Sequence, residues 1–326
     1  MDKRFFIICV GLLIAAVSLP AQPQQGPRQP QAQQLMGPFI ENFSHETSDF
    51  LNIGYRRNGY DFRYHPGVPS LSEEGTDVIV LRINPSDPAT PGPGPHLGSK
   101  LPTFYGSYSA RLRVPDVKKT QPDIGVVVGY FTYTENPRHG LSEIDWEWLI
   151  ADPQIIYIGA WTGHLGSLQR VGRIVNMATG EVLATNYRVD DPARRSERGD
   201  FDGEQNIPVS VTPIEGYDAS KRFYVYGFDW YPERIVWWMV NPDTNEKIVL
   251  WDYKGRVVFP NGPSSMGVPT TPTRYNLNFW HTNNWAVETN PNALEPPKYP
   301  YALEVDWMSY KPFDDLNKEY LQKLAE

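Results

Sequence analysis

In the run L-S-E-I-D-W-E-W-L-I, Glu143, Asp145 and Glu147 occupy every second position, and the residues between them, Ile144, Trp146 and Trp148, are large and apolar. Alternation with a period of two marks a strand that turns one face to a core. All three acids therefore share the other face. Like charges side by side on a sheet repel one another, so the arrangement points to chemistry that uses them. Two glutamates flanking a glycosidic bond supply what a retaining double displacement requires. One attacks the anomeric carbon to form a covalent glycosyl-enzyme, and the other protonates the leaving oxygen and later activates water. In an extended strand the Cα atoms of Glu143 and Glu147 lie roughly 13 Å apart. Side chains leaning inward bring the carboxyls toward the ~5 to 5.5 Å that this mechanism uses. Three acids so close retain at least one proton at neutral pH, as a general acid must, and Asp145 is placed to hydrogen-bond the nucleophile. A calcium site or a solvated strand face would carry the same E-x-D-x-E spacing.

The elements that must position these acids read as short strands. Apolar or alternating runs divided by turn residues cover Asp77 to Ile83, Tyr105 to Val114, Ile124 to Thr134, Glu143 to Ile150 and Ile155 to Trp161. Further runs cover Phe223 to Trp230, Ile235 to Val240, Lys247 to Trp251, Tyr275 to His281 and Tyr301 to Tyr310. This spacing is that of an all-β sandwich. Asp314 to Ala325 is the one helical pattern, expected as a tail on the surface after a domain spanning 39–313. Thr162 to Glu215 departs from the rhythm and carries mixed charge at Asp190, Asp191, Arg194, Arg195, Glu197, Arg198 and Asp200. It is expected to be a long solvated loop at the rim of a cleft.

Composition narrows the partners. An aromatic content of 13%, with 31 Pro and 26 Gly in 326 residues, suits a turn-rich sheet protein. A formal net charge of -8 argues against nucleic acid and against anionic lipid, leaving a neutral partner. Asp2 to Arg4, the apolar run Phe5 to Leu19, then Pro20 and Ala21 form the three regions of a secretory signal over 1–21. The run is shorter than the ~20 residues needed to cross a bilayer, so no stable membrane anchor is expected. Residues 22–38 read as a disordered tether rich in Gln and Pro. The single cysteine, Cys9, falls in the signal, which removes thiolate chemistry from the mature chain.

The acid strand and its flanks resemble the family 16 glycoside hydrolases, whose catalytic strand reads E-I-D-I-E in the lichenase and xyloglucan transglycosylase branches. Here it reads E-I-D-W-E, without the bulge residue of many laminarinases and agarases. The stretch Y-G-S-Y-S-A-R-L-R-V-P from Tyr105 and G-Y-F-T-Y-T from Gly129 are similar to the strands that precede it. The hairpin from Gly216 to Trp238, L-N-F-W-H-T-N-N-W-A from Leu277 and E-V-D-W-M-S-Y from Glu304 resemble later segments. The resemblance implies a β-jelly-roll of two curved antiparallel sheets, concanavalin A-like, with a glucan chain across the concave face. It implies Glu143 as nucleophile, Asp145 as assisting residue and Glu147 as general acid/base.

Sugars are held by flat aromatic faces and by amides that meet hydroxyls. The resemblance places Asn278, Trp280 and Trp285 among such contacts, with Tyr133 and Trp161 as further candidates. Trp146, Trp148, Trp230, Trp237, Trp238 and Trp307 are expected in the core. The chemistry requires no cofactor. A structural calcium on the convex side would use Asp306, for which a buried, hydrogen-bonded aspartate is the alternative. Gly159 stands where the family carries an asparagine, and Asn186 and Tyr187 of the insertion are candidates for new contacts. The expected activity is a secreted, monomeric endo-β-glucanase acting on β-1,3 or mixed β-1,3-1,4 glucan. A transglycosylase of the same fold and a non-catalytic glucan-binding lectin are the alternatives.

Overall fold

A computed structural model describes residues 34–54, 60–64, 77–83, 94–116, 126–137, 139–149, 152–164, 168–191, 194–197, 210–255, 257–259, 262–264, 267–281 and 301–325. The expected signal, most of the tether, and Trp285 lie outside them. Met36, within the stretch read as tether, is buried, and its N–H donates to the Pro102 carbonyl at 2.8 Å.

The chain forms an all-β jelly-roll sandwich. Its strands are β1 (Phe39–Glu41), β2 (Leu51–Gly54), β3 (Tyr60–Tyr64), β4 (Asp77–Ile83), β5 (His96–Ser99), β6 (Gly106–Arg113) and β7 (Val126–Asn136). There follow β8 (Gly140–Leu149), β9 (Ile155–Gly163), β10 (Leu168–Asn176), β11 (Glu181–Asp191), β12 (Arg194–Glu197) and β13 (Tyr224–Trp230). The last are β14 (Ile235–Val240), β15 (Lys247–Tyr253), β16 (Val257–Phe259), β17 (Gly262–Ser264), β18 (Arg274–His281) and β19 (Tyr301–Pro312), before helix α1 (Asp314–Ala325). One antiparallel sheet runs β15-β14-β13-β6-β19-β4-β3, with β1 also on β19. The other runs β12-β11-β10-β9-β8-β7-β18-β5-β2. The acid strand β8 is thus central, four strands from either edge of a nine-stranded sheet.

The apolar alternates of β8 explain why it stays there. Ile144, Trp146 and Trp148 are fully buried between the sheets. The two indoles lie 5.9 Å apart, and Tyr226 of β13 meets them edge-on at 5.2 and 4.7 Å. Burying a large side chain contributes about 1.5–3 kcal/mol. Two tryptophans and an isoleucine therefore offset the repulsion of three acids on the opposite face. A polar tie adds to this, since Trp237 Nε1 of β14 donates to the Asp145 carbonyl oxygen at 3.1 Å across the sandwich.

Several expectations are corrected here. Much of the segment read as a solvated loop from Thr162 to Glu215 is strand, because β10, β11 and β12 extend the nine-stranded sheet. The β10–β11 turn explains how. Asn176 Oδ1 accepts from the N–H groups of Ala178 and Thr179, and Gly180 takes φ +73, a conformation that costs glycine little. Arg173 of β10 is buried in the core, donates to the Leu250 carbonyl of β15 at 2.9 Å and lies 4.6 Å over the Trp251 ring. The extension is thereby fastened to the opposite sheet.

Trp307 is half-buried where core was expected. A bulge between Val305 and Trp307 shifts the register of β19, so Met308 and Tyr310 take the inward positions and Trp307 the outward one. The helix α1 is present but docked. Tyr320 lies 4.4 Å from Phe104, and Asn317 Nδ2 donates to the Tyr105 carbonyl at 2.9 Å. The Asp306 carboxylate is buried and engaged by the Arg111 guanidinium through Oδ2, the arrangement expected as the alternative to a calcium ligand.

Candidate active site

The register of the nine-stranded sheet sets three rungs across the acids. Glu143 stands between Tyr133 of β7 and Trp161 of β9, and Trp161 is followed by Arg170 of β10. Asp145 stands between Phe131 and Gly159, with Gly172 beyond. Glu147 stands between Gly129 and Tyr157, and beyond Gly129 comes Asn278 of β18. The acids therefore share the outward face with Tyr133, Trp161 and Asn278, and Trp280 lies one rung further along β18. Of the residues expected to contact sugar, these four are brought to the triad's face. The side chains of Asn186 and Tyr187 lie outside the described residues, although their backbones are in β11.

Each acid is recessed. Asp145 is 7% exposed, while Glu143 and Glu147 keep partial exposure. Burial and repulsion from Glu147 push the Glu143 carboxyl up to about 8, against the pull of Arg170 and a hydrogen bond from Asp145 that favours its ionised form. Burial pushes Glu147 up to about 7, with Arg170 opposing. Asp145 is raised well above the carboxylate range by burial and by both glutamates. The cluster thus holds protons at neutral pH, and Asp145 donates to Glu143. A double displacement begins with Glu143 ionised and Glu147 protonated, one of the ways in which the triad can share its protons, although Glu143 is pushed up further than Glu147.

The same physics has a consequence for stability. The folded chain binds these protons more tightly than the unfolded chain, whose glutamates titrate near 4.5. Stability from the protonated triad is therefore complete below that value and is lost as pH climbs through about 7 and 8. Glu143→Gln and Glu147→Gln should each raise the melting temperature at pH 8 and leave it nearly unchanged at pH 4. Calorimetry across that range checks this, at about 2–4 °C per kcal/mol for a chain of this size. Equal melting shifts at both pH values would remove the ionisation argument.

Asn278 shows how the floor beside Glu147 is built. A Cβ on Gly129 would come 2.5 Å from Asn278 Oδ1, so only glycine lets the amide lie across β7 toward the acid. That oxygen is buried and meets no donor among the described residues. Trp161 is less open than expected, because the Arg170 guanidinium lies 5.1 Å over its ring.

Sequence reasoning gave no role to Gly129, Tyr157 and Arg170, and it placed Trp237 in the core, where it lies, without its bond to the Asp145 carbonyl. A signal for Arg170 existed in R-V-G-R-I-V-N-M-A-T-G-E-V-L-A-T, two apolar runs about a glycine turn that read as a hairpin.

Fold and site together define a two-sheet jelly-roll that presents a recessed carboxylate triad on a central strand. Two curated proteins are similar in sequence. The β-glucanase of Paenibacillus macerans is 24% identical over 211 residues, 63% of this chain and 59% of that protein. The β-glucanase of Paenibacillus polymyxa is 24% identical over 208 residues, with the same coverage of 63% and 59%. The chain spans about three-fifths of the length of these relatives. Both uphold the resemblance to the family 16 glycoside hydrolases carried by the acid strand. No family model matches the chain. Among solved structures, a prokaryotic β-1,3-1,4-glucanase (lichenase) from a mouse hindgut metagenome is 21% identical with TM-score 0.47, covering 85% of this chain and 100% of that one. The β-glucanase of Bacillus licheniformis is 19% identical with TM-score 0.45, covering 85% and 99%.

Proposed function

We propose that this chain is a secreted retaining endo-β-glucanase that cuts β-1,3 or mixed β-1,3-1,4 glucan. The observation that carries the reading is the triad itself: three recessed carboxyls on one rung-aligned face, with Asp145 hydrogen-bonded to Glu143. Glu143 attacks the anomeric carbon, and the Glu147 proton passes to the leaving oxygen. Water, deprotonated by Glu147, then attacks the glycosyl-enzyme and restores both groups. Asn278 Oδ1 accepts a sugar hydroxyl beside Glu147, and Trp280 offers an aromatic face one rung away. A neutral glucan suits a chain with formal net charge -8. The names of the two sequence relatives support the substrate class.

Purified protein assayed for reducing ends on lichenan, laminarin, xyloglucan and agarose tests this. Release from lichenan or laminarin, with proton NMR showing the β-anomer first, is the expected result. Turnover confined to xyloglucan or agarose overturns the substrate, and products longer than the starting chain at high glucan concentration point to transglycosylation. Binding without turnover on any glucan leaves a lectin.

A further inference from the structure

Among the described side chains of the strands beyond β8, the cation brought to the triad comes from the extension. Along the outward face of β10, Arg170 is followed by Gly172, and the facing position of β9 is Gly159. The strip beside Asp145 is therefore bare of side chains, which leaves room for a long residue to lean across it. Arg170 does lean. Its Cα is two strands from Glu143, a distance of roughly 10 Å at ordinary strand spacing. Its guanidinium nevertheless lies over the ring of Trp161, the residue that directly neighbours Glu143.

We propose that Arg170, held on Trp161, is a fixed counter-charge to the triad, a positioning residue that favours the ionised form of Glu143 and sets the pH range of the reaction. The inference rests on the glycosidase reading of the same site. It also follows from the way Arg170 opposes proton uptake at Glu143, Asp145 and Glu147 alike. The other ionisable groups around the acids among the described residues do not do this. Glu135 of β7 raises the proton affinity of Glu143, and Arg274 of β18 and His96 of β5 are directed to Ser99 and Asn276. Arg188 of β11 stands opposite Arg170 in register.

Arg170→Gln and Arg170→Lys of the full chain test the proposal, first without substrate. In a carbon-13 NMR titration of glutamate side-chain carboxyls, assigned through Glu143→Gln and Glu147→Gln, Arg170→Gln should raise the midpoints of both glutamates by about one pH unit. Arg170→Lys should recover most of the shift. Trp161→Leu, which removes the ring under the guanidinium, should move them the same way. In kcat/KM profiles, both limbs of Arg170→Gln should shift to higher pH together, because Glu143 must ionise and Glu147 must be protonated. Unmoved carboxyl midpoints overturn the proposal, as does a change confined to KM with the profile in place, which would make Arg170 a sugar contact. If the unaltered protein turns over no glucan, the function falls, while the NMR shifts still decide the role of Arg170.

Discussion

Replacing Glu143 with alanine should lower kcat/KM on every glucan by about 10^5-fold or more, the scale seen when the nucleophile of a covalent mechanism is deleted. Among the described residues of the outward face, none is placed to take over. Asp145, the nearest acid, stays raised by burial, the largest cause, and by Glu147 even when Glu143 is gone, so it is a poor source of a charged oxygen. It is also shorter, and its backbone is fixed from beneath by Trp237 Nε1 at 3.1 Å. The variant should fold. Its core side is Ile144, Trp146 and Trp148, none of which the substitution touches, and it removes one of three acids that repel one another. Steady-state rates on lichenan and laminarin, with a melting curve beside them, check both halves. A folded Glu143→Ala protein that kept full activity would sink the enzymatic reading altogether.

How much of this was legible beforehand differs between element and site. Asp77 to Ile83 and Ile235 to Val240 were read with the bounds they have as β4 and β14, because each is an apolar run closed by turn residues. The triad was legible for the same reason, since a period of two assigns faces without knowledge of neighbours. β10 and β11 were not legible. Arg173 points into the core, satisfied by Leu250 and Thr185 rather than by solvent, so the residue that most suggests a surface loop is among the most buried. Arg170 and Gly129 escaped for a different reason. Their roles arise from rungs, which join residues far apart in the chain, and a sequence lists neither the partner strand nor its register. Gly129 acquires its meaning only from Asn278, 149 positions later, and Arg170 from Trp161 across a turn.

Glu147→Ala should divide substrates by their leaving groups, which deletion of the nucleophile should not do. On glucan, where the departing oxygen needs a proton, the loss should be about 10^2- to 10^4-fold, the range of general acid catalysis. On aryl β-glycosides with acidic phenols the first step should proceed, because the phenolate leaves unaided. The glycosyl-enzyme on Glu143 then accumulates, since no base remains to activate water. Azide needs no base and is small enough to occupy the space of the missing carboxylate beside Gly129, where no side chain intrudes from β7. It should restore turnover and yield a glycosyl azide of retained configuration. The geometry makes the experiment selective. Glu143 and Glu147 lie on rungs separated by the Asp145 rung, so removing Glu147 leaves the hydrogen bond between Asp145 and Glu143 in place. Azide giving no rescue, with the aryl substrate still consumed, would move the acid/base role away from Glu147. Rescue with inverted product would exchange the roles of the two glutamates.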